Sequence, residues 1–164
     1  MRLVIIGCEY SGTTTLAGAI CEWAEDAMGG KFEFHDHWKF PHIGFDPLDH
    51  SALIFNEQEQ KEIMALGPVM KEMMARYNLV GHEPTESTPA DQILVGFHFD
   101  DTVYSSLYWA YGSGDEDPFI QGGPRADYAR GIEENRMLKF MPDCVLVLLK
   151  ASPEVIAKRM KECP

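Results

Sequence analysis

The chain has little positive charge and no long apolar run. Its 14 Lys and Arg residues stand against 26 Asp and Glu residues, which gives a formal net charge of −12. This balance argues against binding to a nucleic-acid polymer, which needs a basic face. Because no run of about 18 apolar residues occurs, we expect no membrane span and no membrane partner. The first residues, with one arginine and a short apolar run, do not match a signal peptide.

Cysteine is also scarce, and its spacing points to no metal. The cysteines form neither a C-x-x-C pair nor a zinc-type pattern, which indicates a reducing, cytoplasmic compartment. They are Cys8, Cys21, Cys144 and Cys163. With 164 residues, of which 45% are hydrophobic and 24% charged, the chain is expected to form one domain over 1–164 with a substantial core.

The most informative stretch is the beginning of the chain, MRLVIIGCEYSGTTT. An apolar run over 3–6 is typical of a strand buried on both faces. Gly7 follows, then four residues, then Gly12 and three threonines, where a helical pattern begins. This is the layout of a phosphate-binding loop, G-x-x-x-x-G-K-[ST], with Thr13 at the lysine position.

Such a loop can bind phosphate through its backbone. Gly7 and Gly12 permit positive φ, so successive N–H groups can point into one concavity, and the following helix adds its dipole. Thr14 lies where a hydroxyl can bind Mg²⁺ carried by the phosphates. The alternative is a plain turn between strand and helix. The order of buried strand, loop and helix favours the interpretation as a phosphate-binding loop. The candidate nucleotide-binding residues are Gly7, Cys8, Glu9, Tyr10, Ser11, Gly12, Thr13, Thr14 and Thr15.

Strands and helices alternate along the rest of the chain. Apolar runs predict strands at 2–7, 31–36, 92–99 and 143–149. Helical patterns are predicted at 14–28, at 57–79 with a kink or split at Gly67-Pro68, from 101 or 102 to about 111, at 125–140, and from a Ser152 cap onward. The alternation predicts an α/β fold, a doubly wound parallel sheet with helices on both faces in three α/β/α layers.

Two stretches leave alternatives open. The methionine-rich stripe in 57–79 is either a plastic binding surface or core, and core is the favoured interpretation. The segment 35–50, HDHWKFPHIGFDPLDH, holds four histidines and three aspartates. It is either a metal site or a solvated loop, and the loop is favoured because the spacing matches no common ligand pattern.

Ligands of a parallel sheet bind beyond the carboxyl ends of its strands. In the predicted sheet, that edge collects the loop 7–14, His35-Asp36-His37, Asp100-Asp101 and Lys150.

Three stretches resemble the P-loop nucleoside and nucleotide kinases, most closely the thymidylate kinase family. IIGCEYSGTTTL (5–16) is similar to that family's phosphate loop. DDTVYSSLYWAYG (100–112) resembles a segment that begins with an Asp-Arg pair and runs into Ser-Ser and an aromatic residue. PDCVLVLLKASPEV (142–155) resembles the fourth strand and the Pro-Glu-Val start of a helix. The resemblance implies a P-loop NTPase-like fold with the first strand between the third and fourth, and Mg²⁺-dependent transfer of a phosphoryl group from ATP to a nucleoside or nucleoside monophosphate.

The resemblance also implies roles. The loop would bind the phosphates of the donor nucleotide, Thr14 and Asp100 would hold Mg²⁺, and Asp36 would orient the acceptor. Asp100 is alternatively a group that organises the acceptor's attacking atom. Each aspartate has a further alternative as a cap of a strand-to-helix turn, which is favoured for Asp101. The aromatic residues that could stack on a base, with core packing as the favoured alternative, are Phe99, Tyr104, Tyr108 and Trp109.

The chain departs from that family where the family carries cations near the phosphates. Thr13 replaces the loop lysine, Asp101 stands where an arginine follows the aspartate, and Gln58-Glu59 stands in place of an Asp-Arg pair. Lys150 is the first candidate to replace these cations, and Arg125 and Arg130 come next. For Lys150 the alternative, an exposed lysine that merely follows a strand, stays equally open.

The family also continues beyond a helix like 152–162 into an arginine-bearing lid, a fifth strand and a last helix. We expect a kinase-like domain without these parts, either as a fragment or by nature. Two functions remain open, a kinase and a non-catalytic nucleotide-binding protein with a degenerate loop. Self-association into a homodimer also remains open.

Overall fold

The structure is a computed structural model that describes residues 1–36, 42–43, 53–81, 86, 91–107 and 124–162. In chain order its elements are β1 (Arg2–Ile6), α1 (Thr13–Met28), β2 (Glu33–Asp36), β3 (His42–Ile43), β4 (Leu53–Ile54), α2 (Glu57–Ala65), α3 (Pro68–Gly81), β5 (Gln92–Val95), α4 (Phe97–Leu107), α5 (Pro124–Phe140), β6 (Val145–Leu148) and α6 (Pro153–Glu162).

Four of the strands form a parallel sheet in the order β2-β5-β1-β6. β1 therefore lies between β5 and β6, and Val4 is flanked by Leu94 and Leu146. This order confirms the prediction that the first strand of the chain lies between the third and fourth predicted strands. β3 and β4 form a separate antiparallel pair.

Each face of the sheet carries its own apolar cluster, because side chains alternate along a strand. On one face, Leu3 and Ile5 of β1 pack with Ala17 and Ala24 of α1. On the other face, Val4 packs with residues contributed by α3, α4 and α5, namely Leu79, Phe97 and Met137. The predicted three-layer α/β/α fold with helices on both faces is thereby confirmed.

The helix ends mostly follow their local signals. α1 ends at Gly29, whose φ of 63° and N–H bond to Glu25 O close the last turn. The stretch 57–79 is split into α2 and α3 at Gly67-Pro68, as predicted. At the start of α6, the Ser152 hydroxyl accepts a hydrogen bond from the Val155 N–H at 3.4 Å, with Pro153 as the first helical residue. None of the helices that the structure describes combines the length and apolar content needed to cross a membrane.

The predicted strand at 92–99 is too long. β5 ends at Val95, and α4 begins at Phe97. The reason is a pair of left-handed residues, Gly96 with φ 75° and Phe97 with φ 52°, which turn the chain away from the sheet. Asp101 consequently lies inside α4, so its prediction as a helix cap was wrong.

α3 presents several of its apolar side chains outward, although Ala75 and Leu79 are buried. Met73 and Tyr77 are 57% and 82% exposed, whereas Lys71, Glu72 and Asn78 are buried. Glu72 accepts a 2.9 Å hydrogen bond from the Arg76 Nε. The interpretation of the methionine stripe as core was therefore wrong for its exposed members, Met64, Met70, Met73 and Tyr77, although Ile63 of α2 is buried. Periodicity identifies an apolar stripe but does not say which way the helix turns it.

Candidate functional site

The loop between β1 and α1 is sharply curved. Tyr10 and Gly12 have φ values of 63° and 101°, and the Ser11 N–H donates to Cys8 O at 3.0 Å. A left-handed tyrosine is uncommon and costs on the order of 1–3 kcal/mol, a type of strain that clusters at functional sites. α1 begins at Thr13 without a side-chain cap and without an acidic residue in its first turn. Its first N–H groups therefore remain available to an anion.

Gly7 is one of the positions where a side chain would not fit. A Cβ there would lie 2.5 Å from Ser11 Oγ and 2.8 Å from Leu149 O. The loop thus folds tightly against its own start and against the end of β6. Ser11 is only 5% exposed, and its hydroxyl has no hydrogen-bond partner in the part of the chain that the structure describes.

Thr14 and Asp36, which lie on α1 and at the end of β2, meet directly. The Thr14 Oγ1 donates a hydrogen bond to Asp36 Oδ2 at 2.6 Å. Because the hydroxyl proton is directed at the carboxylate, the lone pairs of Oγ1 remain available as a metal ligand. The structure thereby brings together two residues that sequence reasoning placed at the same sheet edge.

Asp100 lies against the end of β5. Its carboxylate occupies the space that a side chain at Gly96 would need, so that glycine makes room for it. The pKa of Asp100 is raised to about 7, first by burial and then by the negative charges of Asp36 and Glu9. Burial also raises the pKa of Asp36, while the hydrogen bond from Thr14 opposes that rise.

The carboxylates of Asp36 and Asp100 suit a cation that binds together with phosphates. No three His, Cys, Asp or Glu residues within the described ranges are arranged to hold a metal by themselves. Mg²⁺, however, commonly uses one or two carboxylates plus water and substrate phosphates. Asp36, Asp100 and the Thr14 hydroxyl supply such a partial set, and a nearby cation would relieve the repulsion between the carboxylates.

The structure gives less information on the three basic residues predicted to replace the missing cations. Lys150 directly follows Leu149, whose carbonyl oxygen lies against Gly7, but its side chain is exposed. Arg125 and Arg130 lie on α5 at positions whose side chains the structure does not describe. Neither placement tests the proposed roles, which stay predictions.

Sequence reasoning missed Arg159. From α6, its Nη1 donates to the carbonyl oxygens of Tyr10 at 2.7 Å and Ser11 at 2.8 Å. The available signal was weak: a helix that follows β6 returns beside β1 and its loop, but spacing alone does not indicate which residue reaches the loop.

The other candidates lie at the loop, in an apolar cluster, or outside the described side chains. Cys8 and Thr15 are exposed at the loop, and the methyl carbon of Thr13 lies near Gly7. Phe99 packs against the apolar cluster on the α3–α5 side, which confirms core packing for that residue. The predictions for Tyr104, Tyr108 and Trp109, and for most of the segment 35–50, lie outside the described side chains.

No protein-family model matches the chain, and no curated protein is significantly similar to it. What the protein does must therefore be inferred from its own residues.

Proposed function

We propose that the protein transfers a phosphoryl group from ATP to a nucleoside or nucleoside monophosphate with the help of Mg²⁺. The observation that carries the proposal is the meeting of three features at one edge of the parallel sheet. They are the loop 7–14, the hydrogen bond between Thr14 and Asp36, and the carboxylate of Asp100 over Gly96.

The backbone of the loop and the start of α1 would hold the donor phosphates. Positive φ at Tyr10 and Gly12 curves the chain, and the uncapped N-terminus of α1 adds further N–H donors. This mode of binding needs no lysine at position 13, because backbone groups supply the donors.

Mg²⁺ would be held by Thr14 and Asp100, with Asp36 beside them, and would supply the charge that neutralises the transferred phosphates. Glu9, Asp36 and Asp100 bring negative charge to the place where phosphates would bind. A nucleotide without its cation would therefore be repelled, so binding should depend strongly on a divalent ion.

Asp100 and Asp36 would also act on the acceptor nucleoside or nucleotide, Asp100 by proton transfer and Asp36 by orienting it. A pKa of about 7 allows Asp100 to hold or release a proton near neutral pH. Asp36 is fixed by the hydroxyl of Thr14, so its position is defined before an acceptor binds. Lys150 is proposed to approach the transferred group, because it follows the strand end that contacts Gly7.

The second candidate is a nucleotide-binding protein without turnover. The observation that favours it is the position of Arg159, which binds outward-facing carbonyl oxygens of the loop rather than the concavity. A screen of radiolabelled γ-phosphate transfer from ATP to nucleosides and nucleoside monophosphates separates the two. Transfer to any acceptor supports the kinase, whereas saturable ATP binding without transfer supports the binding protein.

We further propose that the exposed apolar side chains of α3 bind a second copy of this chain, and that the protein acts in the cytoplasm. The exposed side chains of α3 are uncharged, and Met70, Met73, Tyr77 and Val80 follow an alternating three- and four-residue spacing that can pair with itself. For a chain with a net charge of −12, an uncharged face is where two copies can approach without repulsion. No disulfide joins the cysteines in the described part of the chain, Cys8, Cys21 and Cys144, which supports the proposed reducing compartment.

A further inference from the structure

Arg159 contacts the loop from its outer side. Its Nη1 donates to the carbonyl oxygens of Tyr10 at 2.7 Å and Ser11 at 2.8 Å. A Cβ added to Gly12 would lie 3.4 Å from the same nitrogen. The guanidinium group therefore lies against two consecutive peptide units of the loop and against the glycine that starts α1.

This contact determines where the N–H groups of the loop point. In a trans peptide the C=O and N–H bonds point in opposite directions, and no cis peptide occurs in the described residues. With the carbonyls of Tyr10 and Ser11 directed at Arg159, the N–H groups of the same two peptides point away from it. The Ser11 N–H donates to Cys8 O within the loop, and the Gly12 N–H is left to face an anion. A hydrogen bond from a charged donor also polarises the peptide, which strengthens its N–H as a donor.

The conformation of the loop needs stabilising contacts from outside the loop, such as those of Arg159. Tyr10 adopts a φ of 63°, a conformation that tyrosine rarely adopts and that persists only where the surroundings impose it. Position 13, where a phosphate-loop lysine would contribute to the loop's charge, is a threonine.

We infer that Arg159 is a positioning residue for the phosphate loop. It fixes the peptide planes of Tyr10–Ser11 and Ser11–Gly12, which keeps the Ser11 N–H bonded to Cys8 O and turns the Gly12 N–H toward the anion. It also compensates in part for the lysine absent at position 13. This inference rests on the proposed phosphate-binding function of the loop.

The test compares Arg159→Met with Lys158→Met, which removes the neighbouring cation of α6. Lys158 is a suitable control because it is exposed and pairs with Glu162 at 3.7 Å within the helix. The first readout is hydrogen exchange of the Ser11 amide, which is bonded to Cys8 O, measured without nucleotide. We expect exchange at least about fivefold faster in Arg159→Met and unchanged in Lys158→Met.

The second readout is the affinity for MgATP by calorimetry, which should fall at least about tenfold in Arg159→Met and stay near wild type in Lys158→Met. Unchanged Ser11 exchange, or equal MgATP affinity in the two variants, overturns the inference. If the Ser11 amide exchanges faster in Arg159→Met but the wild-type protein does not bind MgATP, the proposed function is overturned. The stabilisation of the loop by Arg159 is then still established. If Arg159→Met does not fold, Arg159→Lys gives the same comparison, with smaller changes in the same direction expected.

Discussion

Replacing Asp100 with asparagine should stabilise the metal-free protein above neutral pH. The pKa of Asp100 is raised from 3.8 to about 7, first by burial and then by the charges of Asp36 and Glu9. A rise of about 3 units corresponds to at most about 4 kcal/mol, at about 1.4 kcal/mol per unit. Because Asp100 is not wholly shielded from solvent, we expect about 1–3 kcal/mol.

The direction with pH follows from proton binding. Between about pH 4 and pH 7, folded protein holds a proton on Asp100 that the unfolded chain has released. The stability of the wild type should therefore fall as the pH rises through this window, and level off above it. Asp100→Asn carries no such charge, so its stability relative to wild type should grow across the same window.

Urea unfolding between pH 4.5 and 8.5 with a chelator measures this difference. Asp26→Asn is the control, because Asp26 is an exposed carboxylate on α1. Adding Mg²⁺ at pH 8 should stabilise the wild type more than Asp100→Asn. A stability difference between Asp100→Asn and wild type that does not change with pH would refute the electrostatic account of this site.

Two further predictions address turnover and assembly. If the protein is a kinase, Lys150→Met should lower turnover at least tenfold, about 1.4 kcal/mol, and should leave the unfolding midpoint unchanged. Turnover equal to that of the control variant Lys158→Met would show that Lys150 takes no part in the mechanism. Met73→Glu should convert the dimer into a monomer, measured by light scattering, because it puts a charge on the exposed face of α3. The control Met28→Glu, at the exposed end of α1, should leave the dimer intact. A monomeric wild type would contradict the proposed homodimer.

Much of the fold could be predicted from local patterns. Short apolar runs separated by helical stretches are enough to indicate a parallel sheet, and the position of β1 between β5 and β6 agrees with the resemblance to P-loop kinases. The meeting of Thr14 and Asp36 follows from the rule that strand ends share one edge.

What could not be predicted depends on tertiary contacts. The early end of β5 results from positive φ at Gly96 and Phe97, and the second of these residues is apolar and gives no turn signal. The exposure of Met70, Met73 and Tyr77 on α3 depends on which side of the helix packs against the rest of the protein, and helical spacing does not specify that side. The contact of Arg159 with Tyr10 and Ser11 joins residues almost 150 positions apart in the chain, so no motif could contain it.

The most direct test of the central claim is a calorimetric titration of ATP into the protein with and without Mg²⁺. Backbone donors from Gly7 to Thr14 and the carboxylates of Asp36 and Asp100 predict saturable binding that requires the metal. Thr14→Ala should weaken the dependence on Mg²⁺, because it removes the hydroxyl proposed as a ligand. No detectable binding of ATP to the folded wild-type protein in the presence of Mg²⁺ would contradict the account.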